Sequence, residues 1–406
     1  MKWATYTMQE LINEISMGPF GSDIKKSVYT NSGVPVLNGA NLQGFTLKEN
    51  TFGYVSEEKA DSLKKCNAHR GDIIVTHRGT LGQIVYIPNN SLFERYVISQ
   101  SQFRFNLKPE LARAEFIVYY FHTREGQHKI LSNASQVGVP ALARATTTFR
   151  QLEVKVPPLP VQDKIVGILS ALDAKIENNN KINANLESQA QALFKSWFVD
   201  FTPFKDLPFV DSELGPIPQG WKVGKLGDIA LQSTEKVLTR NDVKVLSPIT
   251  TGKLVLSEEY FTKQVFSKSI RNYKIVKQGA FAYNPARVNI GSLGMNEFKF
   301  DGCVSPVYVV FECLKGYSFF FDLFRKTEFF KQAVISFAIG GVRQTLNYSD
   351  FALIDATIPP LNIVQSFNEI YLHLKKKISI NEEENQRLAA LRDTLLPKLM
   401  SGEIKL

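Results

Sequence analysis

Behind the apolar run Ile73-Ile74-Val75 the chain sets Thr76-His77-Arg78-Gly79-Thr80, a polar turn with an arginine at its centre. In the second half a longer turn, Asn284-Pro285-Ala286-Arg287-Val288-Asn289, follows a comparable run. A guanidinium can grip the edge of guanine with two hydrogen bonds, and a carboxamide can do the same to adenine. His77, Arg78, Thr80, Asn284, Arg287 and Asn289 are therefore candidate base readers. Gly18-Pro19-Phe20-Gly21-Ser22, trailed by Lys25 and Lys26, could bring backbone N–H groups, the Ser22 hydroxyl and positive charge to a phosphate. Gln136 with Arg144 in the first half, and Arg343 with Gln344 in the second, extend the same chemistry. Taken singly, each of these residues is at home on any solvated surface; the set says more than its members.

The groupings that chemical catalysis needs are missing. There is no GxxxxGK phosphate loop, no GxGxxG, no HExxH and no GxSxG. Tyr283-Asn284-Pro285-Ala286 shares Asn-Pro with the Asn-Pro-Pro-aromatic loop of amino-methyltransferases, but it lacks the second proline and the aromatic. The histidines His69, His77, His122, His128 and His373 are scattered. Cys66, Cys303 and Cys313 form no CxxC, so neither a disulfide framework nor structural zinc is expected. We assign no catalytic or metal-binding residue and no cofactor to this chain, and a reducing cytoplasm suits its cysteines. With 48 Lys+Arg against 39 Asp+Glu, the net charge of +9 suits a polyanionic partner. The start, MKWATYTMQE, has no apolar signal region, and the most apolar stretch, Tyr317 to Phe324, is short and broken by Asp322, so no membrane association is expected.

The elements that must position these residues come in two sets. KVPPLPVQDKIVGIL from Lys155 and TIPPLNIVQSFNEIY from Thr357 begin parallel segments 202 positions apart. Each Pro-Pro-Leu is an extended entry to a long helix pattern. Ile165, Leu169, Leu172, Ile176, Asn179, Asn183, Leu186, Ala190, Leu193 and Trp197 step by four and three, the spacing of a coiled-coil seam. Phe367, Tyr371, Leu374, Ile378, Asn381, Asn385, Leu388, Arg392, Leu395 and Leu399 repeat it, with asparagines at the same two places. Matching buried asparagines would set the register of one helix against the other. We expect one intramolecular antiparallel coiled coil with a pseudo-twofold axis. About 38 residues at ~1.5 Å each make a rod of roughly 57 Å, equal to about 17 base pairs at ~3.4 Å.

Strand-like runs predominate before each helix: Asp72–Val75, Gln83–Ile87, Phe103–Leu107, Gly279–Tyr283 and Val307–Phe311. Helical stretches fall at Ala112–His122 and Ser318–Ala333. The halves echo one another in Trp3 and Trp221, in GTLGQ from Gly79 and GSLGM from Gly291, and in Ile98-Ser99 and Val304-Ser305. The expected fold is α+β: two similar mixed domains, 1–155 and 215–357, each followed by a long helix, 156–200 and 358–406, with a linker at 201–214.

In its order of elements the whole chain resembles the specificity subunits of type I restriction-modification enzymes. The likeness rests on LFKSWFVDF ending the first helix, IPQGW entering the second domain and LLPKLMSGEI ending the second helix, with support from GPFGS at Gly18 and GVPAL at Gly138. The second half has no clear GPFGS counterpart, so its corresponding loop is unassigned. The resemblance implies two target-recognition domains, each reading one half of a bipartite asymmetric site in double-stranded DNA, with the helices as a ruler. It also implies two modification (methyltransferase) subunits docked on those helices and ATP-dependent restriction subunits recruited to the assembly. S-adenosylmethionine, ATP and Mg would then belong to the partners. The competing reading is a coiled-coil interaction scaffold that binds nucleic acid without sequence preference.

Overall fold

The structure, a computed structural model, describes residues 3–132, 134–135, 139–261, 263–337 and 345–406. It forms two compact units, Met1–Asn179 with Glu383–Leu406 and Asn180–Glu382. Each is a mixed α/β unit that holds part of two long helices, Leu159–Phe198 and Leu361–Ser401.

In the first unit, Ile73–Thr76 is buried along its whole length, as a strand with neighbours on both edges should be. It pairs antiparallel with Gln102–Leu107, setting Ile73 opposite Phe105 and Val75 opposite Phe103. Ile12–Met17 and Ile84–Tyr86 complete a four-stranded sheet on either side. Alternation decides the faces. Phe103 and Phe105 turn to the side where Phe149 and the helix Ala114–His122 bury Phe116, Ile117 and Phe121. Arg104 turns to the other side, where Asp72 at 3.2 Å and Glu14 at 2.7 Å satisfy it. A second sheet has the order Tyr29–Thr30, Gly53–Val55, Val34–Val36, Arg95–Val97, Asn67–His69, and its Val36–Val97 pairing is parallel. A two-stranded ribbon joins Ala4–Thr7 to Glu153–Val156, just before the first long helix.

The second unit repeats this plan. Its central sheet runs Ala230–Ser233, Val309–Cys313, Phe281–Tyr283, Leu293–Met295, the same order in the same sense. The second sheet runs Leu254–Leu256, Lys244–Pro248, Gly302–Val304, Lys274–Val276, again with one parallel pairing, Val245 to Cys303. Lys222–Lys225 pairs with Asp355–Ile358 before the second long helix.

The helical stretch expected over Ser318–Ala333 is two helices, Ser318–Phe324 and Glu328–Phe337. The break has a polar cause. Arg325 turns inward to Asp322 at 2.6 Å and donates to the carbonyls of Leu293 and Gly252, while the Thr327 hydroxyl accepts the Phe330 N–H and starts the next helix.

Each unit contains a crossing of the two long helices. In the first, Val161, Ile165 and Leu169 near the start of one share a core with Leu396, Leu399 and Met400 near the end of the other. In the second, Ala190, Phe194 and Phe198 meet Val364, Phe367 and Tyr371. Start meets end in both, so the pairing is antiparallel. The seam asparagines bond across it. Asn179 donates to Asn385 Oδ1 at 2.9 Å and to Glu384 at 2.8 Å, and Asn381 donates to Asn183 Oδ1 at 2.7 Å. Burying one phenylalanine contributes about 1.5–3 kcal/mol against a net ~1 kcal/mol for a bonded amide pair, so apolar contacts hold the helices and the amides set their register.

Asn381→Ala leaves the half-enclosed Asn183 carbonyl without its donor and should lower stability by about 1–3 kcal/mol. Asn183→Leu with Asn381→Leu should cost less than that single change, as read from urea midpoints at unchanged slope.

Asp322 gives a pH signature. Burial pushes its carboxyl up, but Arg325, Lys326 and Lys375 outweigh burial and hold it down at about 2. Because the folded value lies below the ordinary carboxylate range, the stabilisation is present above about pH 4 and is lost as pH falls toward 2. The stability gap between wild type and Asp322→Asn should close across that window in an acid titration of urea unfolding.

Candidate nucleic-acid interface

One end of each central sheet gathers the loops. In the first unit, Met17 lies opposite Phe103 and Thr76 opposite Gln102, so the strands Ile12–Met17 and Ile73–Thr76 end where Gln102–Leu107 begins. The segments 18–26, 77–83 and 99–101 leave from this edge. Backbone bonds tie them together. The Gly18 N–H donates to Gln102 O at 2.8 Å, the His77 N–H to Ser101 O at 2.9 Å, and the Gly79 N–H to Pro140 O at 2.8 Å. Arg78 also bridges to Ala141, which brings the strand Ala141–Leu142 and Arg144 to the same turn. Gly18 is required there, since a Cβ would stand 2.0 Å from the Ser99 carbonyl oxygen.

Of the predicted residues in this unit, Ser22, Lys25, Lys26, Arg78, Thr80 and Arg144 are exposed at that edge. Lys25, Lys26, Arg78 and Arg144 have no side-chain ion pair among the described residues. Four unneutralised cations on one edge are what a phosphate backbone attracts. Arg144 takes a left-handed backbone, φ 46°, held by the Thr148 N–H and hydroxyl that donate to its carbonyl. A strained non-glycine residue of this kind fixes where its side chain departs. His77 differs. Its ring is half-buried, and burial, with Arg78 beside it, pulls the imidazole below its ordinary value, so it is neutral at pH 7 and its Nε2 is enclosed. Gln136 lies outside the described residues, as does Gly138 of GVPAL.

The second unit builds the same edge from different side chains. Val309 lies opposite Tyr283, so the turn 284–292 leaves beside the start of Val309–Cys313. Asn284 spends its side chain on the turn, its Oδ1 accepting the Ala286 N–H at 3.1 Å. Val288 is buried as an anchor between exposed Arg287 and exposed Asn289. Gly291, at φ 94°, closes the turn against the Thr250 carbonyl. Lys326 and Lys331 line the same cleft as Asn289, but they pair with Asp322 and Glu328. Arg343 and Gln344 lie outside the described residues.

Two features escaped the sequence reading. The loop equivalent to Gly18–Ser22 leaves the strand Ala230–Ser233, where Leu238 takes a left-handed φ of 53° and donates its N–H to Arg271 O. Its signal was the strand order, which no local motif carries. Gln100 is exposed on the turn between Ser99 and Gln102. The echo of Ile98-Ser99 in Val304-Ser305 pointed to that turn without showing that it joins the interface. Among the described residues no three His, Cys, Asp or Glu side chains gather as a metal site, and no helix is long and apolar enough to cross a membrane.

The two units thus share one frame, each built on a crossing of two long helices, and present different exposed side chains at the same edge. Residues 2–188 match the family described as the type I restriction modification DNA specificity domain. The chain is 28% identical to the MjaIX type I restriction enzyme specificity subunit of Methanocaldococcus jannaschii, over 86% of this chain and 81% of that one. It is 21% identical to the HindI specificity subunit of Haemophilus influenzae, over 82% and 87%. Its fold is that of the type I restriction-modification S subunit of M. genitalium, with a TM-score of 0.57 and 16% identity over 98% of this chain and 96% of that one. Over most of its length the chain is thus similar to type I restriction enzyme specificity subunits.

Proposed function

We propose that this chain is the non-catalytic, sequence-reading subunit of a type I restriction-modification complex. Each unit reads one half of a bipartite asymmetric site in double-stranded DNA, and the long helices set the spacing of the halves. The observation that carries this reading is the repeated loop edge: one strand order used twice, with unpaired cations and amides that differ between the copies. A shared frame with different contact chemistry suits two different half-sites. Two modification subunits dock on the helices, methylate adenine with S-adenosylmethionine, and recruit restriction subunits that use ATP and Mg, all in the cytoplasm. The chain itself holds no cofactor.

Co-expression with the modification subunit, followed by sequencing of methylated adenines in host DNA, should yield a single split motif methylated on both strands. A stable complex with no motif would favour the scaffold reading. Inserting one or two helical turns after Asn183 should lengthen the spacer of that motif while leaving both half-sites unchanged; an unaltered spacer would refute the ruler.

A further inference from the structure

The turn that starts the second strand of each central sheet carries opposite chemistry in the two units. In the first, Ser99-Gln100-Ser101-Gln102 closes with the Gln102 N–H donating to Ser99 O at 3.1 Å; in the second, Ser305-Pro306-Val307-Tyr308 closes with the Tyr308 N–H donating to Ser305 O at 3.0 Å. Gln102 stands opposite Thr76, and Val309 opposite Tyr283, the strand ends that feed the arginine-bearing turns. Ser99 thus corresponds to Ser305 and Ser101 to Val307, at the edge where the candidate readers gather.

Both turns are held from behind while their tips stay exposed. Around the first, the His77 N–H holds Ser101 O, and Gly18 packs its backbone on Ser99. A Cβ on Gly21 would fall 2.2 Å from Gln100 Oε1, so the missing side chain there makes room for the Gln100 amide. In the second, proline restricts the backbone before Val307, and Lys274 Nζ donates to Tyr308 O at 2.7 Å. Val307 is 71% exposed. Exposed apolar residues are common on proteins; position distinguishes this one, on a pinned turn at the sheet end from which the segment 284–292 also leaves. A duplex presents an apolar group in its major groove as the 5-methyl of thymine, and it presents adenine there as an acceptor beside a donor. Valine is too short to wedge between stacked bases but can cover a methyl group at their edge.

We propose that this turn is a base-reading element in both units: Val307 recognises a thymine by its methyl group, and Gln100 hydrogen-bonds an adenine in the other half-site. The proposal rests on the DNA-reading function given above and names its specificity determinants.

The test uses the complex of this chain with its modification subunits and duplexes carrying the methylated motif, with each thymine replaced in turn by uracil, which removes only the methyl. Wild type should lose about fourfold in affinity at one thymine of one half-site, the worth of one buried methyl group. Val307→Ala should bind the thymine duplex about that much more weakly and ignore the replacement. Gln100→Ala should retain the uracil effect and relax one adenine of the opposite half-site in the methylated motif. Wild-type indifference to uracil at every position, or an undiminished uracil effect in Val307→Ala, overturns the thymine assignment. An unchanged motif in Gln100→Ala overturns the adenine assignment. Binding without sequence preference and no motif in wild type would instead overturn the DNA-reading function, and both assignments with it.

Discussion

A buried carboxamide must find a hydrogen-bonding partner or forfeit its solvation, and this requirement settles how the long helices meet. Asn179 reaches Asn385, and Asn183 is reached by Asn381. A slip of one helical turn would keep one amide pair, Asn179 with Asn381 or Asn183 with Asn385, and set the other two amides against apolar seam positions, so both pairs form in one register only. The apolar contacts of the seam are broad and forgiving, whereas the amide contacts tolerate one register. Everything that depends on which part of one helix faces which part of the other follows from these four residues.

The helices also seat the globular parts differently in the two units. Asp173 on the first helix accepts the Tyr119 hydroxyl at 2.6 Å and pairs with Arg392 at 2.7 Å, while Arg392 lies over the Phe45 ring. At the repeat-equivalent position of the second helix stands Lys375, paired with Glu297 and lying against the Phe319 and Tyr371 rings. The frame is repeated with the charge reversed. Burial at these seats makes each charge depend on its own partner, so the copies have diverged in how they are held as well as in what they present.

Within each unit the central sheet separates stability from loop chemistry. One of its faces is closed by aromatic packing, with Phe105 and Phe149 in the first unit and Phe311 and Phe351 in the second. Loop chemistry can change at the sheet's end without touching that packing. The Arg104–Asp72 pair of the first unit is replaced by Val310 at the matching place in the second, which shows how far the interior too can vary around one strand order.

Much of this was legible in the chain. The seam periodicity, the doubled asparagines and the Pro-Pro-Leu entries are local or periodic signals, so the sequence alone determined two long helices, two mixed domains and an absence of catalytic motifs. The break in the Ser318–Ala333 stretch was not legible, because it depends on Arg325 reaching carbonyls of Leu293 and Gly252, distant in sequence. Nor was the composition of the loop edge. Gln100, Arg78 and Arg144 lie on separate segments and meet only because antiparallel pairing returns Met17, Thr76 and Gln102 to one end of a sheet. Residue type dictates what a side chain can contact, and strand order, set by pairings between residues far apart in the chain, decides which of them contact the same thing.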